Sequence, residues 1–140
     1  MRIILLLLAF VLLASCCQSG ESKIEEMVVA KNQWQIISYG KNYRFELESR
    51  MGRTHLVKTF VVVPGSLNNN QDGEFATIND LFTFAFNSLK DTEAVVEVVY
   101  DDQYGYPSSV TVNRKNQVDG NSFVTVKDLE FLEDTSDKSE

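Results

Sequence analysis

Histidine occurs once, as His55, and cysteine twice, as the adjacent pair Cys16 and Cys17, in a chain of 140 residues. A Ser–His–Asp or Cys–His system needs an imidazole beside its nucleophile. His55 stands in a β-prone run and the chain holds no G-x-S-x-G turn, so it reads as a surface or rim residue rather than a base. Zinc asks for several His, Cys or carboxylate ligands together, which two neighbouring cysteines and one distant histidine do not supply. The calcium-binding pattern of acids around a central glycine is missing, so neither Asp101 with Asp102 nor Asp119 with Asn121 amounts to a calcium loop. No glycine loop for a phosphate occurs, and no cofactor is expected. Positive charge is scarce too: 13 Lys and Arg face 20 Asp and Glu, a formal charge of −7. Without Met1–Ser15, which holds Arg2 and no acid, 12 basic residues face the same 20 acids and the charge is −8. Such a field repels phosphate backbones and anionic headgroups, which argues against nucleic acid and against electrostatic docking to lipid.

What the chain does have begins at its N-terminus. Arg2 precedes Ile3–Leu13, an unbroken run of eleven apolar residues. At 1.5 Å rise per residue that run covers roughly half of the ~30 Å hydrocarbon layer, so residues 1–15 read as a removable signal peptide rather than a permanent span. Leu13-Ala14-Ser15-Cys16 then resembles the lipobox of bacterial lipoproteins, an apolar and two small residues before a cysteine. The resemblance implies a diacylglycerol thioether on Cys16, cleavage before it, and fatty acylation of the new N-terminus. Two or three acyl chains hold stably where one holds marginally, because each buried methylene contributes ~0.8 kcal/mol. Cys17, its neighbour blocked, reads as a bystander thiol. Residues 16–21 form the lipidated cysteine and a short polar tether.

The hydrophobic content, 44%, suffices for one modest core, placed over residues 22–132. Ser22-Lys23-Ile24-Glu25 has the form of a capping box and opens a helix to about Trp34, with Ile24, Met27, Val28, Lys31 and Trp34 near one face and Trp34 as its anchor. Thr77-Ile78-Asn79-Asp80 opens a second, whose stripe is Ile78, Leu81, Phe82, Ala85, Phe86 and Leu89; Phe84 lies off the stripe and reads as surface. Tyr43, Phe45 and Leu47 alternate with Arg44, Glu46 and Glu48, a strand with one wet face. Leu56–Val63 is apolar on both faces except for Lys58 and Thr59 and reads as a more central strand, joined to the first as a hairpin through Gly52-Arg53. Ala94–Tyr100, Ser109–Asn113 and Ser122–Val126 complete the set, the last two joined through the Asp119-Gly120 turn. The expected fold is a small single α+β domain of order α-β-β-α-β-β-β, about five antiparallel strands with two helices on one face. Pro64–Gly73 reads as a surface loop, and residues 133–140 as an acidic disordered tail.

Tyr100-Asp101-Asp102-Gln103-Tyr104-Gly105-Tyr106-Pro107 is the one distinctive segment, with three tyrosines and one of the two prolines in eight residues. Glycine permits positive φ and Pro107 holds Tyr106 extended, so a stiff connection feeding a strand is expected. This YD-x-x-YGYP segment, the Thr77–Phe82 helix start and Trp34 ahead of Tyr43 together resemble a bacterial lipoprotein family of unknown function, the domain of unknown function 6174 family. The resemblance spans about residues 30–128, with a longer Asn-rich loop at 66–71 here, and implies location and fold rather than an activity.

Two readings of the segment stand at this point. In one, the rings pack on the helices while Asp101 and Asp102 bond turn amides. In the other, Tyr100, Asp101, Tyr104 and Tyr106 line a recognition surface. The functional expectation is a lipid-anchored cell-envelope protein, at the cell or outer membrane with its domain extracytoplasmic, acting as a non-enzymatic module that binds an envelope protein or peptide. The alternatives are a carboxylate-dependent envelope hydrolase and an inhibitor of a secreted enzyme.

Overall fold

A computed structural model describes residues 20–65, 75–117 and 119–133 of the protein. The signal segment, Cys16, Cys17, the Asn-rich loop at 66–71, Val118 and the tail from residue 134 lie outside the described residues. The elements are α1 (Gly20–Ser38), β1 (Asn42–Met51), β2 (Thr54–Val62), α2 (Ile78–Leu89), β3 (Ala94–Tyr100), β4 (Pro107–Arg114) and β5 (Ser122–Leu132). This is the expected α+β order. The five strands form one antiparallel sheet in the order β2-β1-β5-β4-β3. No helix among the described residues is long and apolar enough to cross a membrane.

Alternation in the strands decides which face is dry. Tyr43, Phe45, Leu47 and Ser49 of β1 are buried, and Val124 and Val126 of β5, Val110 and Val112 of β4 and Val96 of β3 are buried in line with them. Met27, Ala30 and Trp34 of α1 and Ile78, Leu81, Phe82 and Ala85 of α2 join them in one core. The opposite face carries the ion pairs Arg44–Glu130 at 2.6 Å and Lys127–Glu48 at 2.7 Å, with His55 on Glu48 at 3.1 Å. His55 is thus paired on the polar face of the sheet, away from the helices.

Three expectations change. Leu56–Val63 does not form a central strand: β2 is an edge, exposed from Thr54 through Thr59 and again at Val61. Its apolar residues on both faces suggested cover on both sides, but only Phe60, stacked on Phe45 at 5.4 Å, and Val62 reach the core. The last strand does not stop at Val126 but runs to Leu132, because a bulge intervenes. The β1 register jumps between Arg44 and Glu46 while Asp128 takes φ 49°, so the inward positions shift from Val124 and Val126 to Leu129 and Phe131. Finally, α1 begins at Gly20, so Ser22 and Glu25 lie within the helix instead of capping it, and Gly20 and Glu21 of the proposed tether are helical. Its buried face is Met27, Ala30 and Trp34, and Val28 points away.

α2 is capped as expected. The Thr77 hydroxyl accepts from Asp80 N at 3.2 Å, and Asp80 Oδ2 accepts from Ala76 N at 3.0 Å, Thr77 N at 2.8 Å and Thr77 Oγ1 at 2.9 Å. The Tyr43 hydroxyl accepts from Ile78 N at 3.4 Å, which ties the helix start to β1. At the other end Arg114 of β4 pairs with Asp91 at 2.9 Å and holds its carboxyl below the usual range. Phe84 is not free surface but packs edge-on against Phe75 at 5.2 Å.

The cap makes a prediction. Asp80→Ala leaves three donors without their carboxylate and is expected to lower stability by about 2 kcal/mol, and Thr77→Ala by about 1 kcal/mol. Because the two side chains share one network, the double variant should lose about as much as Asp80→Ala alone in urea unfolding; simple addition would contradict the shared network.

Candidate functional site

The Tyr100–Pro107 connection closes on itself. Asp101 N donates to Tyr106 O at 2.8 Å and Gly105 N to Asp101 O at 2.9 Å. The Asp101 carboxylate accepts from Gln103 N at 3.0 Å and Tyr104 N at 2.7 Å, a side chain imitating the backbone of a turn. Its rings face inward. Tyr106, 8% exposed, meets Trp34 edge-on at 5.8 Å; Tyr104 meets Phe131 at 5.4 Å; Tyr100 stacks on Phe82 at 6.5 Å. Burial pushes the phenols of Tyr100 and Tyr106 up to about 12, with Glu26 adding to the first and Asp101 to the second. Tyr43 is likewise pushed to about 12 by burial.

Helix α1 packs on this turn at Gly105. With φ +76°, a Cβ there would lie 2.8 Å from Ala30 O and 3.1 Å from the Gln33 Cβ, so only glycine lets the helix so close. Gln33 Nε2 donates to Gln103 O at 3.1 Å, and Lys23 Nζ donates to Val96 O at 2.8 Å, which fastens α1 beside the outer edge of β3.

Between helix, strand and turn run two adjoining clefts that share Glu26 and Tyr100. One, about 270 Å³, is walled by Lys23, Glu26, Glu97 and Tyr100. The other, about 440 Å³, is walled by Glu26, Gln33, Tyr100, Asp101 and Asp102. Together they make a groove bordered by Glu26, Asp102 and the amide-bonded Asp101, with one ammonium that is already bonded to a backbone carbonyl; Glu97 borders it from the β3 edge, on the strand face opposite the buried Val96. The Tyr100 hydroxyl is buried in this wall with no hydrogen-bond partner among the described residues. The acids are spread along the groove: among the described residues no three His, Cys, Asp or Glu gather to hold a metal ion. An arrangement of this kind suits cationic and hydrogen-bond-donating groups.

Of the four residues marked in the sequence, the fold brings Tyr100 and Asp101 to the groove wall and turns the rings of Tyr104 and Tyr106 toward Phe131 and Trp34. Lys23, Glu26, Gln33 and Glu97 were not marked. On α1 a signal exists: Lys23, Glu26, Ala30 and Gln33 follow helical spacing along one flank of the buried stripe. For Glu97 the local pattern says only that it alternates with valines.

Two outcomes test this geometry. Gly105→Ala should lower stability by about 2–3 kcal/mol in denaturant unfolding, through left-handed strain and contact with α1; an unchanged midpoint would show that α1 does not rest there. The phenols of Tyr43, Tyr100 and Tyr106 should keep their protons up to about 12, against 10.0 in the unfolded chain. The unfolded chain therefore releases protons first, so this contribution is full below about pH 10 and is lost across roughly pH 10–12. Phenolate absorbance and unfolding should rise together in that window, and early ionisation of all the tyrosines without unfolding would contradict the buried placement.

No curated protein and no solved structure matches the chain. A family match covers residues 50–131, from the end of β1 through β5, and so includes α2 and the YGYP turn but neither Trp34 nor Tyr43. By that match, the chain belongs to the family of unknown function DUF6174.

Proposed function

We propose that the protein is a lipid-anchored bacterial envelope protein, held by a diacylglycerol on Cys16, whose domain is a non-enzymatic binding module on the extracytoplasmic side. The anchor is supported by Arg2, the eleven-residue apolar run and the Leu13-Ala14-Ser15-Cys16 sequence. The binding role is carried by one observation, the acidic groove between α1, β3 and the Asp101–Tyr106 turn. Its walls are set before any ligand arrives, by the Gly105 contact and the Lys23 and Gln33 bonds, so little ordering opposes binding. Its charge selects a basic peptide or protein segment.

A second reading, a hydrolase working with two carboxylates, has Glu26 and Glu97 bordering one cleft, but Glu97 alternates with the inward Val96 and Val98 and so stands on the other face of β3. The binding role therefore ranks first.

Palmitate labelling tests the anchor. Cys16→Ser should lose the label and move from the membrane to the soluble fraction; a Cys16→Ser chain that keeps the label, or an unaltered chain that never acquires it, would sink the anchor. A lysine-rich peptide of about ten residues tests the groove. It should bind at low salt and lose about tenfold or more in affinity in the variant Glu26→Gln/Asp102→Asn, with an acidic peptide of equal length inert. Equal binding of both peptides would overturn the assignment. Loss of glycan cleavage in the same variant would put the hydrolase first.

A further inference from the structure

Residues 27–40 read MVVAKNQWQIISYG, with Lys31 their only charge, in a chain that is 24% charged overall. Met27, Ala30 and Trp34 enter the core, yet the residues opposite them are not polar. Val28 is 48% exposed, Val29 68%, Ile36 78% and Tyr39 87%. At 3.6 residues per turn Val28, Val29 and Ile36 fall within about 100° of arc, with Asn32 among them, and Tyr39 follows in the turn just past the helix end. They form an apolar strip on the outer side of the C-terminal half of α1, preceded on the same arc by the exposed Glu21 and Glu25. Scattered exposed apolar residues are ordinary, but an aligned set on one helix face marks a contact.

The distance to the anchor says with what. Gly20, where α1 begins, is four residues after Cys16, and four extended residues reach at most about 14 Å. A helix of 19 residues, about 28 Å long, thus starts within half its own length of the sulfur proposed to carry the lipid. The tether holds the N-terminal end of α1 near the bilayer, and the exposed apolar residues give the rest of the helix a reason to lie down on it. We infer that α1 lies along the membrane surface, with the Val28, Val29, Ile36 and Tyr39 strip set into the lipid interface. This rests on the anchor at Cys16 proposed above.

The chemistry of the strip fits a lipid interface. Tyr39, at the far end, presents an apolar ring and a polar tip, the combination favoured at headgroup level. Asn32, within the strip, and Gln35 beside it bring no charge to the interface. Glu21 and Glu25 sit at the anchored end, near the positive pole of the helix and opposite the ammonium groups of zwitterionic headgroups. Attraction then comes from apolar burial, which has to outweigh repulsion between the −8 of the chain without Met1–Ser15 and anionic headgroups. Val29 borders both the strip and the acidic groove, so the groove would open sideways, along the membrane.

The test uses the full chain, lipidated in bacteria, with Cys17→Ser so that an introduced cysteine is the only free thiol. An environment-sensitive fluorophore is placed by Ile36→Cys or, on the polar sheet face, by Thr59→Cys, in vesicles of phosphatidylethanolamine with some phosphatidylglycerol. Spin-labelled lipid should quench the label at 36 about threefold or more above the label at 59, and the label at 36 should be blue-shifted. Adding Val29→Glu and Tyr39→Glu, both at exposed positions, should bring quenching at 36 down to the level at 59 while the protein still floats with the vesicles. Equal quenching at both positions in floating protein would overturn the docking and leave the anchor standing. Self-quenching at 36 that rises with surface density, without lipid quenching, would assign the face to a second copy and also overturn it. Protein that fails to float would refute the anchor and, with it, this inference.

Discussion

Trp34 is the contact on which the rest of the molecule depends. Its ring meets Tyr43 of β1 at 5.2 Å, Tyr106 of the turn at 5.8 Å and Phe131 of β5 at 6.0 Å, and it is 1% exposed. These partners come from the start of β1, the approach to β4 and the end of β5, so one side chain on α1 closes one end of the sheet. A buried indole contributes several kcal/mol through area alone, and edge-on aromatic pairs add about 0.5–1.5 kcal/mol each. With Trp34 seated, α1 cannot rotate: its core face, its groove flank and its outer strip take their directions from this one insertion. The groove and the apolar strip are two consequences of the same constraint.

The sheet is covered on one side only, and its two edges are treated differently. At β3 the Lys23 ammonium takes the Val96 carbonyl and α1 lies alongside, so that edge becomes the wall of the groove. At β2 the strand lies mostly outside the helices' cover, with Lys58 near its middle, a charge of the kind that discourages pairing with another chain. The face away from the helices is held by paired charges. Glu48 accepts from Lys127 and meets His55, which holds its carboxyl below the usual range; these exposed pairs favour solubility more than stability.

Much of this architecture is legible locally. The α2 stripe and its Thr77–Asp80 cap, the β1 alternation and the Asp-Gly turn are all short-range patterns, set by 3.6 and 2.0 residue periods and by capping chemistry. The failures have equally definite causes. A bulge shifts the phase of β5 at Asp128, and a period-2 reading stops where the phase breaks. β2 misleads because an edge strand can be as apolar as a central one, and its place is decided by which strand pairs with β1 on the other side. The true start of α1 escapes because Ser22 and Glu25 have the form of a cap without acting as one.

By itself the sequence determined the number, kind and order of the elements, the stiff YGYP turn and the membership that turn suggested, since each follows from interactions among near neighbours along the chain. Only the tertiary structure decided which side of the turn is usable. Tyr104 and Tyr106 go to the aromatic cluster because Trp34 lies beneath them, and Tyr100 and Asp101 meet Glu26 because α1 packs against Gly105. Those meetings join residues about seventy positions apart, as the Lys23–Val96 and Gln33–Gln103 bonds do. No local period records such a distance; it is set when two faces pack and exclude water.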